Sequence, residues 1–197
     1  MPTVSRILKI TKKDYADEFV NEGGMFLRRI SEFPKIENDS QGDQLENLSY
    51  ILQEQDCLNF KVNGVEQKFS GSFKAWHKDD PFIFCMYAMM QENTPQSNER
   101  YYLDNRCSSF GDTIVLVKDG VEFINRIVSY CKKSNTTMKC GLVTYYDPIN
   151  YSGQLTPFDK KNELSYQQEY RFSFELESTD ITEKIFIGNL SDIVEVI

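Results

Sequence analysis

Histidine is almost missing from this chain: His77 is the single one in 197 residues. The five cysteines (Cys57, Cys85, Cys107, Cys131 and Cys140) are odd in number, widely spaced and free of any C-x-x-C pair. A zinc site is therefore not expected, and reduced thiols in a cytoplasm are the simplest reading. Neither G-x-x-x-x-G-K-[ST] nor G-x-G-x-x-G occurs, which disfavours the usual phosphate-cradling loops. His77, in Ala75-Trp76-His77-Lys78-Asp79-Asp80, has no partnered nucleophile motif of the G-x-S-x-G kind and reads as a packing residue. No dense Lys/Arg run exists and the net charge is −8, so duplex DNA and anionic membranes are not expected partners. The longest apolar run, Phe82 to Met90, is nine residues, far short of the roughly 20 a membrane helix needs. Met1 to Ile10 lacks the apolar segment of a signal peptide, so a cytoplasmic location is expected.

What is abundant is aromatic: fourteen Phe and eleven Tyr, residues that favour sheet. Short β-prone runs at Ser5–Ile10, Met25–Ile30, Asp112–Lys118, Met138–Tyr146, Glu183–Ile187 and Ile193–Ile197 predict strands, the last with a frayed helix as its alternative. The continuous apolar run Phe82–Met90 predicts a central strand buried on both faces. Asn63-Gly64 between two β-prone runs predicts a hairpin. Tyr15, Ala16, Phe19 and Val20 share one helical face after Thr11, an N-cap candidate, and Gly23-Gly24 ends that helix. Asp119 opens a second helix whose apolar side runs from Val121 to Cys131. Asp43-x-x-Glu46 before Leu48, Ile51 and Leu52 predicts a third helix start. Leu164–Glu177 reads as one long strand with a polar beginning and alternating Phe172, Phe174 and Leu176. No repeat or linker divides the chain. The expected fold is a single α+β domain, residues 1–197, with mostly antiparallel mixed sheets flanked by two or three helices. Gln91–Arg100 predicts a polar, mobile loop.

Several constellations can carry chemistry. On a continuous strand Gln167, Glu169 and Arg171 would share a face. There a carboxylate beside an amide can grip a ribose and stabilise positive charge. Cross-strand salt bridging explains Glu169 and Arg171 as well. An arginine such as Arg28 or Arg29 can clamp a pyrophosphate, although neighbouring strand residues face opposite ways, so at least one of the two is expected to be solvated or paired. Asp43 and Glu46 are spaced to share a metal or a proton, and a capping box explains the same spacing. Ser108-Ser109-Phe110-Gly111-Asp112 and Ser70-Gly71-Ser72 allow close backbone approach to a ligand or simply make turns.

Two resemblances rest on these residues. Gly24, Gly42-Asp43-x-x-Glu46, Phe84-Cys85-Met86, Phe110-Gly111-Asp112, Glu122-Phe123-Ile124-x-Arg126, and Lys161 with Gln167-x-Glu169-Tyr170-Arg171 together resemble the pattern of an uncharacterised family of bacterial and phage proteins, across nearly the whole chain. That resemblance implies no activity. The order Arg28 or Arg29, then Ser108-Ser109, then Gln167-x-Glu169 resembles ADP-ribosyltransferases of the arginine–serine–glutamate type. It departs from them in having no Ser-Thr-Ser. This second resemblance implies NAD as cofactor. Arg28 or Arg29, with Ser108, Ser109 and Arg171, would bind it; Glu169 would stabilise the ribose cation and Gln167 would help choose the acceptor. The expected function is then a small NAD-using transferase, a toxin or defence effector acting on a protein or nucleic acid. The alternative is a non-enzymatic binding or inhibitor protein of phage–host conflict that uses its acidic surface. A metal-dependent hydrolase built on Asp43 and Glu46 comes last because further ligands are scarce.

Overall fold

The computed structural model describes residues 4–36, 42–56, 60–67, 70–90 and 103–197. Cys57 and the expected loop at Gln91–Arg100 lie outside them. In chain order the elements are β1 (Val4–Thr11), α1 (Lys13–Glu22), β2 (Gly24–Arg29), β3 (Leu48–Leu52), β4 (Phe60–Val62), β5 (Val65–Gln67), β6 (Phe73–Trp76) and β7 (Phe82–Met90). They continue with β8 (Thr113–Val117), α2 (Gly120–Ser134), β9 (Thr137–Leu142), β10 (Thr144–Tyr146), β11 (Gly153–Gln154), β12 (Asp159–Lys161), β13 (Glu169–Glu175), β14 (Thr182–Phe186) and β15 (Val194–Val196). Short 3₁₀ helices lie at Ile30–Lys35, Glu54–Asp56, Asn105–Phe110 and Asn162–Gln167. The fold is α+β with mostly antiparallel sheets, as the alternating patterns predict. No helix among the described residues is long and apolar enough to cross a membrane.

The large sheet has eight strands and β7 is its axis. One edge of β7 pairs with β13 from Phe82 to Tyr87, and β13 pairs onward to β9. The other edge is shared. Strand β2 takes Phe82 and Ile83, whereas β1 takes Tyr87 to Met90. From there the sheet forks: β2 leads to β14, and β1 leads to β8 and β15. Both helices cover one face. Phe19 of α1 and Phe123 of α2 pack with Phe84 and Phe172 in the main core. On that face alternate residues of β13, Phe172 and Phe174, are fully buried, which is the period-two pattern realised. The opposite face holds a smaller cluster of Leu8, Tyr87, Met89, Cys107 and Leu116. A third cluster, Leu48, Ile51, Tyr146 and Leu155, lies among the small sheets. Helix α2 begins as expected, with the Asp119 carboxylate accepting the Glu122 N–H at 2.9 Å. The Asn63-Gly64 hairpin joins β4 to β5 with φ of 53° and 82° at its two central residues.

Three local expectations are corrected. Leu164–Glu177 is not one strand. Its first part is the 3₁₀ helix, Gln168 turns the chain at φ 38°, and the strand begins only at Glu169. Gln167 therefore does not continue the strand face of Glu169 and Arg171. Asp43 and Glu46 open no helix. They sit at a turn that ends in Asn47 at φ 64° and leads into β3, because Glu46 is drawn into a buried contact and Leu48 and Ile51 are claimed by the small core. Thr11 caps nothing: it is the last residue of β1, opposite Thr113, and Lys12 precedes α1 with no side-chain cap.

Gly111 shows how tightly this frame closes. A Cβ built there would meet the Thr11 carbonyl carbon at 2.0 Å and its oxygen at 2.1 Å. Backbone cannot yield as a side-chain tip does. Gly111→Ala is therefore expected to lose about 3 kcal/mol of unfolding free energy, read from urea denaturation; an unchanged midpoint would mean that the turn moves off β1 freely.

Candidate functional site

The polar residues of β13 point away from the helices into a buried charge cluster. Arg171 is 0% exposed, Glu46 1%, Glu169 3%, Lys160 4% and Gln167 7%. Such burial demands complete pairing. Arg171 supplies it with Nε donating to Glu169 Oε1 at 2.6 Å, Nη1 to Glu46 Oε1 at 2.7 Å and Nη2 to Glu46 Oε2 at 3.4 Å. Nη1 also donates to the Pro157 carbonyl. Lys160 completes the ring, with Nζ 3.0 Å from Glu169 Oε2, 2.8 Å from Gln167 Oε1 and 3.8 Å from Glu46 Oε2. The Tyr145 hydroxyl accepts the Glu169 N–H at 2.9 Å. Five elements deliver these groups: β13, the turn before β3, β12, the 3₁₀ helix that ends at Gln167, and β10 with Tyr145.

The electrostatics follow from pairing under burial. Burial alone would raise the Glu169 carboxyl, but Arg171 and Lys160 overcome it and hold it well below the usual carboxylate range. Burial opposes the Lys160 ammonium, and Glu169 and Glu46 lift it above its ordinary value. The depressed Glu169 contributes stability that is complete above the unfolded carboxylate range, about pH 4. That stability is lost only as pH falls toward its folded value. Asp43 behaves oppositely: burial, then Glu46, push its carboxyl up. Burial, then Glu169, push the neighbouring Cys85 thiol up to about 12. That thiol is therefore neutral and a poor nucleophile at neutral pH.

Beside the cluster a cavity of about 260 Å³ opens at the fork in the sheet. Glu169, Gln167 and Lys160 form part of its wall, with Lys9, Thr11 and Arg28 across the fork and rings from Phe26, Phe33, Tyr87 and Phe110. Where β1 and β2 diverge, no strand among the described residues pairs with that edge of β7 between Ile83 and Tyr87. The Cys85 carbonyl there is met by Lys9 Nζ at 2.9 Å. That ammonium also lies 4.2 Å from the centre of the Phe84 ring. Burial lowers the Lys9 pKa. Arg28 is half-buried, lines the cavity, and makes no ion pair or side-chain hydrogen bond among the described residues.

Of the residues singled out by sequence, the fold brings Arg28, Gln167 and Glu169 to one cavity. The others lie elsewhere. Arg29 donates to the carbonyls of Asp180 and Asp80, each at 2.8 Å, and to that of Ser178. Its guanidinium also stands over the Phe82 ring. The hydroxyls of Ser108 and Ser109 fold back onto the carbonyls of Asn105 and Arg106 within their own 3₁₀ turn, and only the following Phe110 reaches the cavity. Arg171 lies behind Glu169, its donors spent on protein groups. Asp43 and Glu46 are buried, and Glu46 serves Arg171. The carboxylate of Asp43 accepts the Leu45 N–H at 3.0 Å and lies 4.0 Å from Lys161. His77 is tied to the Leu155 carbonyl at 2.9 Å. Lys9 and Lys160 were not visible as site residues in the sequence. Lys9 is an ordinary alternation residue of β1, and Lys160 is indistinguishable from its neighbour Lys161.

No family model, no curated protein and no solved structure matches the chain.

The cluster makes two predictions. Arg171→Met leaves Glu46 and Glu169 buried without their main counter-charge and is expected to lose about 3–5 kcal/mol. Adding Glu46→Gln should recover part of that loss in a double-mutant cycle, and a purely additive result would show that the two side chains do not couple. For Asp43 the sign is reversed. A raised acid weakens the fold progressively as pH climbs from the unfolded carboxylate range through its folded value. Asp43→Asn, which keeps the acceptor for Leu45, is expected to melt above wild type at pH 7 and to show no advantage at pH 3. A lower melting temperature at pH 7 would mean that Lys161 outweighs burial.

Proposed function

We propose that the protein binds a phosphate-bearing ring compound of the nucleotide class in the cavity at the β1–β2 fork. One observation carries this reading. The buried cluster sets two cations, Arg171 and Lys160, against two carboxylates, Glu46 and Glu169, so its charge closes within itself. Lys9 and Arg28 make no ion pair among the described residues, although the Glu169 carboxylate acts on Lys9 across the cavity. They bring positive charge that no ion pair neutralises among the described residues into a partly enclosed cavity of a protein whose net charge is −8. Low-dielectric walls strengthen that local field, and a guanidinium accepts phosphate oxygens bidentately. The Phe26, Phe33, Tyr87 and Phe110 side chains offer apolar area for a ring.

ADP-ribosyl transfer from NAD is the second reading. It is favoured by Arg28, Gln167 and Glu169 lining one cavity in the chain order that the resemblance implies. Bound NAD would supply a labile glycosidic bond, which breaks with departure of neutral nicotinamide from its cationic ring form. The phosphate end fits, since Arg28 is available. The sugar end fits poorly. Glu169 Oε1 and Oε2 already accept from Arg171 and Lys160, and Cys85 also hydrogen-bonds to the carboxylate. A carboxylate has about four acceptor sites, so little remains for a sugar hydroxyl. Binding therefore ranks ahead of transfer.

Titrating the full chain with NAD, ADP-ribose and ATP while following melting tests both. A ligand at about 100 times its dissociation constant should add roughly 2.7 kcal/mol, and Arg28→Ala should remove the shift. Released nicotinamide, lost in Glu169→Gln while that variant still melts cooperatively, would advance the transferase reading. No shift with any of the three up to millimolar concentration would overturn the binding reading.

A further inference from the structure

Four side chains in the cavity wall carry an amine, a thiol or a phenol: Lys9, Cys85, Tyr87 and Lys160. Three of them are held in forms that do not attack a carbonyl. Burial, then Glu169, push the Cys85 thiol up to about 12. Burial, then Cys107, push the Tyr87 hydroxyl up to about 12. Both stay protonated at neutral pH. Burial opposes the Lys160 ammonium, but Glu169 and Glu46 keep it charged, and it donates to Gln167 and Glu169. Lys9 alone of the four moves toward its nucleophilic form, because burial lowers its pKa against the pull of Cys85 and Glu169. Its surroundings agree. The half-buried side chain makes no ion pair among the described residues. Its Nζ donates to the Cys85 carbonyl at 2.9 Å and lies 4.2 Å from the centre of the Phe84 ring. Arg28, also without an ion pair among the described residues, lines the same cavity.

Resting on the binding reading above, we propose that Lys9 holds its ligand covalently, as an imine with a phosphate-bearing ring aldehyde whose phosphate sits on Arg28. The neutral amine attacks the aldehyde carbon. Its lone pair forms the new C–N bond, a proton passes from nitrogen to the carbonyl oxygen, and the resulting carbinolamine loses one water. The net change is amine plus aldehyde to imine plus water. Nothing is oxidised or reduced, and the step is reversible. Once protonated, the imine has a single N–H. The Cys85 carbonyl, which no strand among the described residues claims on this edge, already stands 2.9 Å from that nitrogen and accepts it. The Phe84 ring beside it favours the same cation. The iminium therefore keeps the positive charge of the ammonium it replaces. Arg28 stays charged at every pH at which the amine is reactive, so the phosphate anchor and the nucleophile do not compete for one proton. Phe26, Phe33 and Phe110 offer the apolar area for the ring that carries the aldehyde.

The probe is pyridoxal 5′-phosphate, with pyridoxal as its phosphate-free counterpart. The full chain is incubated with each aldehyde, reduced with borohydride to fix any imine as a secondary amine, digested and mapped by mass spectrometry. Lys9 is expected to be labelled by the phosphorylated probe severalfold faster than by pyridoxal, and severalfold faster than any other lysine. ATP should slow that labelling. Lys160 lines the same cavity but is paired, and it should stay unmodified. Arg28→Ala should bring the two aldehydes to the same rate at Lys9, and Lys9→Arg should abolish the label at that position. The probe comparison and the ATP protection use the unaltered chain, so they decide the matter even where a variant fails to fold. Labelling spread over exposed lysines with Lys9 no faster, or equal rates with the two aldehydes at Lys9, overturns the imine. Melting of the unmodified chain with ATP reports on the binding reading separately. A shift with Lys9 unlabelled sinks the covalent proposal alone; no shift and no label at Lys9 sink both.

Discussion

The guanidinium of Arg171, wholly withdrawn from water, is the constraint on which the arrangement of the other elements depends. An isolated charge at that depth would cost many kcal/mol, so the fold must bring counter-charges to it. It does so from two directions: Glu169 lies on the same strand, and Glu46 comes from a turn 125 residues earlier in the chain. Lys160, arriving on β12, then neutralises what remains. The large sheet and the small sheets are thereby docked in one register, because a shift of either would leave a buried charge unpaired. Replacement of such clusters by apolar side chains is often neutral or stabilising elsewhere. Its use here is the specificity of that docking, with the fit made by directional bonds.

A closed charge cluster has a second consequence. Because Glu46 and Glu169 are hydrogen-bonded to Arg171 and Lys160, neither forms an ion pair with the cations across the fork, and Glu169 acts on Lys9 only through space. Lys9 meets a carbonyl and a ring face, and Arg28 meets neither carboxylate nor carbonyl among the described residues. The sheet itself creates this situation. Where β1 and β2 diverge, the Cys85 carbonyl loses a strand partner, and a lysine replaces the missing N–H. Charge that enters a structure to satisfy backbone in a gap is also charge available to a ligand in that gap.

The strands of the large sheet and both α helices were legible because their signals are local. Period-two alternation in β13, the unbroken apolar run of β7, Asn63-Gly64, and Asp119 before Val121–Cys131 each name their own conformation without reference to distant residues. Legibility failed where a long-range contact overrode the local pattern. The Asp43–Glu46 spacing is a helix start in isolation, but Glu46 belongs to Arg171 and its neighbours to a small core, and the chain turns. Leu164–Glu177 looks continuous, yet Gln168 breaks it with a left-handed conformation that glutamine rarely adopts. Of the candidate site, Arg28, Gln167 and Glu169 were foreseeable by residue type and order. Lys9 and Lys160 were not, since a lysine on an edge-facing position and one beside another lysine carry no distinguishing signal.

The triplet Gln167-x-Glu169 shows why order along the chain and chemistry must be separated. In sequence it resembles a catalytic pair. In the fold Gln167 ends a 3₁₀ helix and accepts from Lys160, and Glu169 begins a strand between two cations. A carboxylate cannot be both the counter-ion that keeps a buried arginine tolerable and a fully available stabiliser of a sugar cation, because the same lone pairs serve both tasks. Glu169 is committed to the first. Its value to a ligand is indirect: by closing the charge of the cluster it fixes the wall of the cavity and leaves the positive potential with Lys9 and Arg28. Recognition thus moves from the residues that the pattern highlights to the gap between two strands, where the backbone is incompletely paired and the charge is incompletely balanced.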